Sequence, residues 1–182
     1  MPHTRTDSYL ADSISLFRYY KNLGERAMEQ CGDSILFETL DAESNSIAIV
    51  VKHMAGNMRS RWTDFLTSDG EKPDRNRDSE FEAPATTRAE LMKQWNAGWD
   101  YVFSALEPLT DSLMTKTVYI RTEPHSVMQA INRQIAHYSY HVGQIVFLAK
   151  HFGCDQWKSL SVPRKQSAVF NADVASGKKS QR

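Results

Sequence analysis

Four stretches of the chain repeat apolar residues at three- and four-residue steps, the spacing that lines up one face of an α-helix. Leu10, Ile14, Phe17, Tyr20 and Ala27 mark the first, over residues 7–30, and Cys31-Gly32-Asp33 breaks it. Ile47, Val50, Val51, Met54, Met58, Trp62 and Phe65 mark the second, with Ser44 or Ser46 as N-cap and a stop expected near Ser68-Asp69-Gly70. The third opens with a capping-box sequence, Thr87-Arg88-Ala89-Glu90, and carries Leu91, Trp95, Trp99, Val102 and Leu106, with Pro108 just beyond. The fourth runs from Ser126 to about His151 with Val127, Ile131, Ile135, Tyr138, Val142, Ile145 and Ala149, and Gly153 is placed to end it.

The polar stretches between them set the topology. Residues 68–86 hold Gly70, Pro73, Pro84 and mixed charges and read as a long surface connection. Helix–helix links in bundles usually take about 2–8 residues, so this one suggests a crossover whose flanking helices need not be antiparallel neighbours. Lys116-Thr-Val-Tyr-Ile-Arg121 is β-prone and is ended by Glu123-Pro124, which predicts a small hairpin or extended arm before the fourth helix. The last thirty or so residues show no clear period. The expected fold is an all-α four-helix bundle with a long crossover between helices two and three, occupying residues 1–154, with 155–182 as an extension of the same domain.

Composition narrows the function. With 22 basic and 22 acidic residues among 182, the formal charge is zero, which argues against a broadly basic nucleic-acid surface. No apolar run approaches the roughly 20 residues that cross a bilayer, and Met1–Asp7 has no apolar signal core. Cys31 and Cys154 fall in no metal-binding spacing and read as reduced thiols, so a cytoplasmic setting is expected, with no nucleic-acid or membrane partner. No Gly-rich phosphate loop and no Ser or Cys nucleophile with a specified base is present.

The six histidines carry the candidate chemistry. His137 and His141, four apart in Gln134-Ile-Ala-His-Tyr-Ser-Tyr-His-Val-Gly-Gln144, project from one helix face, so two imidazoles can converge on one ion. His53, beside the apolar stripe of the second helix, lies about 13 Å from that helix's start, and His141 about 15 Å from the end of its own. Antiparallel packing brings the three into one layer, and parallel packing also leaves them within about a turn or two, so the spacing permits the site under either topology. Three imidazoles with no fourth protein ligand describe an open, reactive site rather than a closed structural one. Hydrogen-bonded core histidines are the competing reading of the same residues. Asn57, Gln134 and Gln144 are placed to hydrogen-bond a ligand ring, and Asn57 equally reads as a satisfied polar residue inside the bundle. Tyr138 stands where a zinc-protease HExxH motif has Glu, so that chemistry is excluded. His3, His125 and His151 read as terminus, loop and last-turn residues.

Lys52-His53-Met-Ala-Gly-Asn57 and Ala136-His137-Tyr-Ser-Tyr-His141-Val-Gly-Gln-Ile145 resemble the DinB/YfiT-like superfamily of metalloenzymes, which is unrelated to the DNA polymerase sharing its label. The stretch from Trp157 to Asn171 is similar to the C-terminal extension of an uncharacterised subfamily. The resemblance implies a bundle with a crossover between helices two and three. It also implies a divalent metal, zinc or nickel, on His53, His137 and His141, and a homodimer. Some members are transferases or isomerases that use low-molecular-weight thiols. The expected function is therefore thiol-dependent transfer, with hydrolysis by metal-activated water or a non-catalytic, stress-related metal-binding dimer as the alternatives.

Overall fold

A computed structural model of the protein describes residues 5–153 and 157–180, so His3 and Cys154 lie outside the described residues. Its elements are α1 (Tyr9–Glu29), α2 (Ile47–Trp62), α3 (Arg88–Leu106), β1 (Thr117–Ile120), β2 (Glu123–Ser126), α4 (Val127–Phe152) and α5 (Ser167–Ala175), with short 3-10 turns at 34–37, 78–81 and 111–113. The four expected helices are present. Each begins where a hydroxyl accepts an otherwise free backbone N–H: Ser8 from Ala11, Ser46 from Ile49, Thr87 from Glu90, and Ser126 from Gln129. Ser46, not Ser44, therefore caps α2. A full capping box forms at Ser126, where the Gln129 side chain returns to the Ser126 N–H. At Thr87 only half of it forms, because the Glu90 carboxylate turns to Thr86.

Helix–helix contacts fix the directions. Arg18, midway along α1, pairs with Glu107 at the end of α3, and Arg88 at the start of α3 donates to the carbonyls of Met28 and Cys31 at the end of α1, so these two run antiparallel. Tyr9 reaches Asn132 and Cys31 lies against Ala149, which makes α1 and α4 parallel. Gly98 faces Ala55 and Met58, where a Cβ would stand 3.0 Å from the Ala55 Cα, and Trp62 shares a surface cavity with Tyr101 and Ala105. Helices α2 and α3 are thus parallel neighbours, packed closely because position 98 lacks a side chain. A parallel pair needs a chain that returns to its starting end, and residues 63–87 do that. Between the helices, Phe17, Trp62, Trp99 and Tyr138 meet ring to ring, with centroids 5.7–6.3 Å apart, a spacing in which such rings attract edge to face.

Three expectations need correction. Helix α2 ends at Trp62, six residues before Ser68, because Thr63 is extended (ψ 126°) and Asp64 after it takes a left-handed conformation (φ 49°). Phe65 keeps its place in the apolar pattern only because it folds back onto Trp62, with ring centroids 4.8 Å apart. The 68–86 connection is not simply a surface loop, since Glu80 and Ala85 are buried within it. Residues 167–175 form a helix the pattern did not reveal, because none of its residues is buried and so no apolar stripe is needed. Before it, Trp157 and Leu160 pack on the core and Lys158 exchanges two hydrogen bonds with Gln30.

The expected hairpin is β1 paired antiparallel with β2, and Glu123-Pro124 belongs to its second strand rather than ending the first. Its turn residues Arg121 and Thr122 both have positive φ (54° and 66°) without glycine. The Asp69 carboxylate holds that turn by accepting both of their N–H groups at 2.8 and 2.7 Å. The crossover and the hairpin are in this way tied together.

Candidate metal centre

Helix α4 presents His137 and His141 one turn apart, and α2 runs antiparallel to it, as Trp62 against Tyr138 and Val50 beside Leu148 show. His53 of α2 therefore meets both rings, at centroid distances of 5.5 and 4.9 Å, and the α4 pair stand 4.7 Å apart. One nitrogen from each ring lies within 4.8 Å of the others. Three nitrogens bound tetrahedrally to one ion at 2.0–2.1 Å are about 3.4 Å apart, so modest side-chain rotation closes the set.

The hydrogen bonds at the outer nitrogens select which atoms face inward. His53 Nδ1–H donates to the Glu80 carboxylate at 2.8 Å, which leaves Nε2 as the lone-pair nitrogen. His141 Nδ1–H donates to Gln144 Oε1 at 2.8 Å, and its Nε2 is buried without a partner. Nδ1 of His137 is likewise buried without a partner. Buried polar atoms almost always find a partner, so two orphaned imidazole nitrogens in one cluster are positioned so that they could hold a metal ion. Burial, then the neighbouring His141 and His53, push the His137 ring down to about 3; burial outweighs the Gln144 hydrogen bond in taking His141 to about 4. Both rings are consequently neutral near pH 7, the form that ligates metal.

The crossover supplies what spacing along the helices did not reveal. Its 3-10 turn at 78–81 brings Glu80 onto His53 Nδ1 and stacks Phe81 on the same ring, with centroids 4.8 Å apart and planes 27° from parallel. Arg75, itself buried, grips both Glu80 oxygens at 2.8 and 2.9 Å. Burial raises the Glu80 carboxyl, but the hydrogen bonds from His53 and Arg75 outweigh it and hold the group below its ordinary value, ionised. Lys52 pins the turn by donating to the Ser79 and Glu82 carbonyls. Gly56 makes room: a Cβ there would lie 2.7 Å from the Glu80 carboxyl carbon. The one sequence signal for this partner was that glycine, in the interior of a helix where it costs about 1 kcal/mol relative to alanine.

Of the three residues proposed to orient the rings, Gln144 does bond one. Asn57 and Gln134 do not: Asn57 Oδ1 accepts from Tyr138, whose oxygen accepts from Trp62 Nε1, and Gln134 Oε1 has no partner. Both line a cavity of about 400 Å³ beside His137. His125 is half-buried in β2 and bonds the Glu123 carbonyl, and His151 is exposed in the last turn of α4; neither approaches the cluster.

Residues 4–166 match the family described as "Protein of unknown function (DUF1572)". The chain belongs to that family. The matched span contains the three histidines of this DUF1572 protein together with Arg75, Glu80 and Gln144. No curated protein matches the chain. None of its described helices is long and apolar enough to cross a membrane.

Proposed function

We propose that His53, His137 and His141 hold one divalent metal ion and that the protein is a metal-dependent enzyme of the thiol-transferase type. The observation that carries this reading is the pair of buried, unpartnered nitrogens, His137 Nδ1 and His141 Nε2, beside a His53 ring whose Nε2 is freed by Glu80. When bound, a divalent ion with only three protein ligands supplies Lewis acidity at its open positions, lowering the pKa of a thiol or water. The chain's own residues do the rest. Glu80 and Gln144 fix the tautomers of His53 and His141 and keep those rings oriented. Phe81 covers one face of His53 and limits water there.

The DinB/YfiT-like resemblance supports zinc or nickel as the ion, a low-molecular-weight thiol as co-substrate and a homodimer as the working state. The sequence spacing of the two cysteines, which matches no metal-binding motif, supports a cytoplasmic setting, and residues 155–182 are read as an extension of one domain. The test is an assay of zinc- or nickel-loaded protein on an activated aryl halide, with and without cysteine as the thiol. Turnover that requires both thiol and metal, and is absent in His137→Ala, is expected. Metal-dependent turnover of ester substrates without thiol assigns hydrolysis instead.

A further inference from the structure

The cavity beside His137 has a chemistry of its own. Asn57, Arg61, Arg133, Gln134, His137 and Tyr140 line it, with the Ala136 methyl, and no acidic residue does. Arg61 is 4% exposed, spends Nη1 on the Gly70 carbonyl and Glu71, and has a buried Nε–H with no acceptor. Arg133 is exposed and makes no ion pair among the described residues. The Trp62–Tyr138–Asn57 relay fixes the third donor. Trp62 Nε1 can only donate, so the Tyr138 proton goes to Asn57 Oδ1, and the Asn57 amide N–H2 is left for the cavity. The lining thus offers positive charge from Arg61 and Arg133 and an amide donor from Asn57, against the unpartnered acceptor Gln134 Oε1, a balance that suits a ligand carrying negative charge.

We propose that this cavity is a subsite for a small organic carboxylate, held by Arg133, Arg61 and the Asn57 amide next to the histidine cluster. Glu71 is shared among Arg61, Arg75 and Arg121, so it does not cancel the positive charge beside the cavity. Ala136 and Tyr140 stand among the donors in the lining, which suits a carboxylate carried on a short carbon chain better than an inorganic phosphate. A carboxylate seated there extends its carbon chain toward His137, the one histidine of the three that lines the cavity. The substrate of the proposed enzyme then belongs to the carboxylic acids. This deepens the metal-centre reading and rests on it only for what the chain of the acid meets.

Calorimetric titration with propionate, its neutral analogue propionamide and inorganic phosphate tests the subsite, on protein with and without one equivalent of cobalt(II). Propionate should bind about tenfold or more tighter than propionamide in both forms, the worth of a charge-assisted hydrogen bond. Arg133→Gln, at an exposed position that leaves folding intact, should remove most of that gap and leave the cobalt spectrum unchanged. Arg26→Gln, in the last turn of α1 and away from the cavity, should leave the gap in place. Equal binding of propionate and propionamide, tighter binding of phosphate, or a gap that survives Arg133→Gln overturns the carboxylate subsite. If cobalt fails to bind while propionate binding still depends on Arg133, the metal reading falls and the subsite stands.

Discussion

His137 and His141 take their positions from one helix, whereas His53 takes its orientation from Glu80, 27 residues away in the crossover. The α4 pair needs only helical geometry to stand together, and the ring partner of His141 is Gln144, less than one turn further on and exposed. On the α2 side the ring depends on tertiary structure: a buried carboxylate, a buried arginine clamping it, a lysine pinning the turn, and a glycine that leaves space. The candidate metal site is half helix and half loop. The loop half fixes the third ligand only once the crossover has folded, so metal binding and crossover folding should be coupled.

Breaking the helix half has the largest expected effect. His141→Ala removes a ligand outright, and elemental analysis of the purified variant should find the divalent ion reduced to background while helical content stays intact.

The loop half should respond to changes that leave all three histidines in place. Glu80→Gln, and independently Gly56→Ala, should each weaken metal binding about 10–100-fold in competition with a chelator, the range for losing the outer partner of a ligating histidine. Gly56→Ala sharpens the point because helix propensity alone expects alanine there to stabilise α2 by up to about 1 kcal/mol. Tighter metal binding in Gly56→Ala would mean that Glu80 is not needed where it sits. Gln144→Ala should matter less, weakening metal binding by under about tenfold in the same assay, because water can replace an exposed amide.

How much of this the sequence disclosed follows the same division. The i, i+4 histidine pair was legible because one helix determines it, and His53 because it flanks a clear apolar stripe. Glu80 was not, since Glu71, Asp74, Asp78 and Glu80 look alike in a charge-rich link, and only the fold selects the one that Arg75 and His53 enclose. The end of α2 was misplaced for a related reason. Phe65 continues the helical pattern past the break at Thr63 and Asp64, because burial and not helicity is what the pattern records. The long 68–86 link did point to a crossover, and the parallel packing of α2 and α3 is the outcome it implied. For α5 there was nothing to read, since a helix without a buried face leaves no period.

The smallest expected effect lies on the helix pair in metal-free protein. His137 and His141 titrate near 3 and 4 when folded, against about 6.5 when unfolded. Between those values the unfolded chain binds more protons, so these two rings make stability fall as pH drops from about 6.5 toward 4 and add no slope above 6.5. Chemical denaturation at stepped pH should show that loss, and it should shrink in a His137→Gln, His141→Gln double variant.

The central claim is that these three histidines form one metal site. Its most direct measurement is titration of metal-free protein with cobalt(II), followed by absorption spectroscopy and calorimetry. The account predicts one tightly bound ion per chain with an imidazole-ligand spectrum, lost in His53→Ala as fully as in His137→Ala. Absence of stoichiometric binding, or binding that survives His53→Ala unchanged, would contradict it.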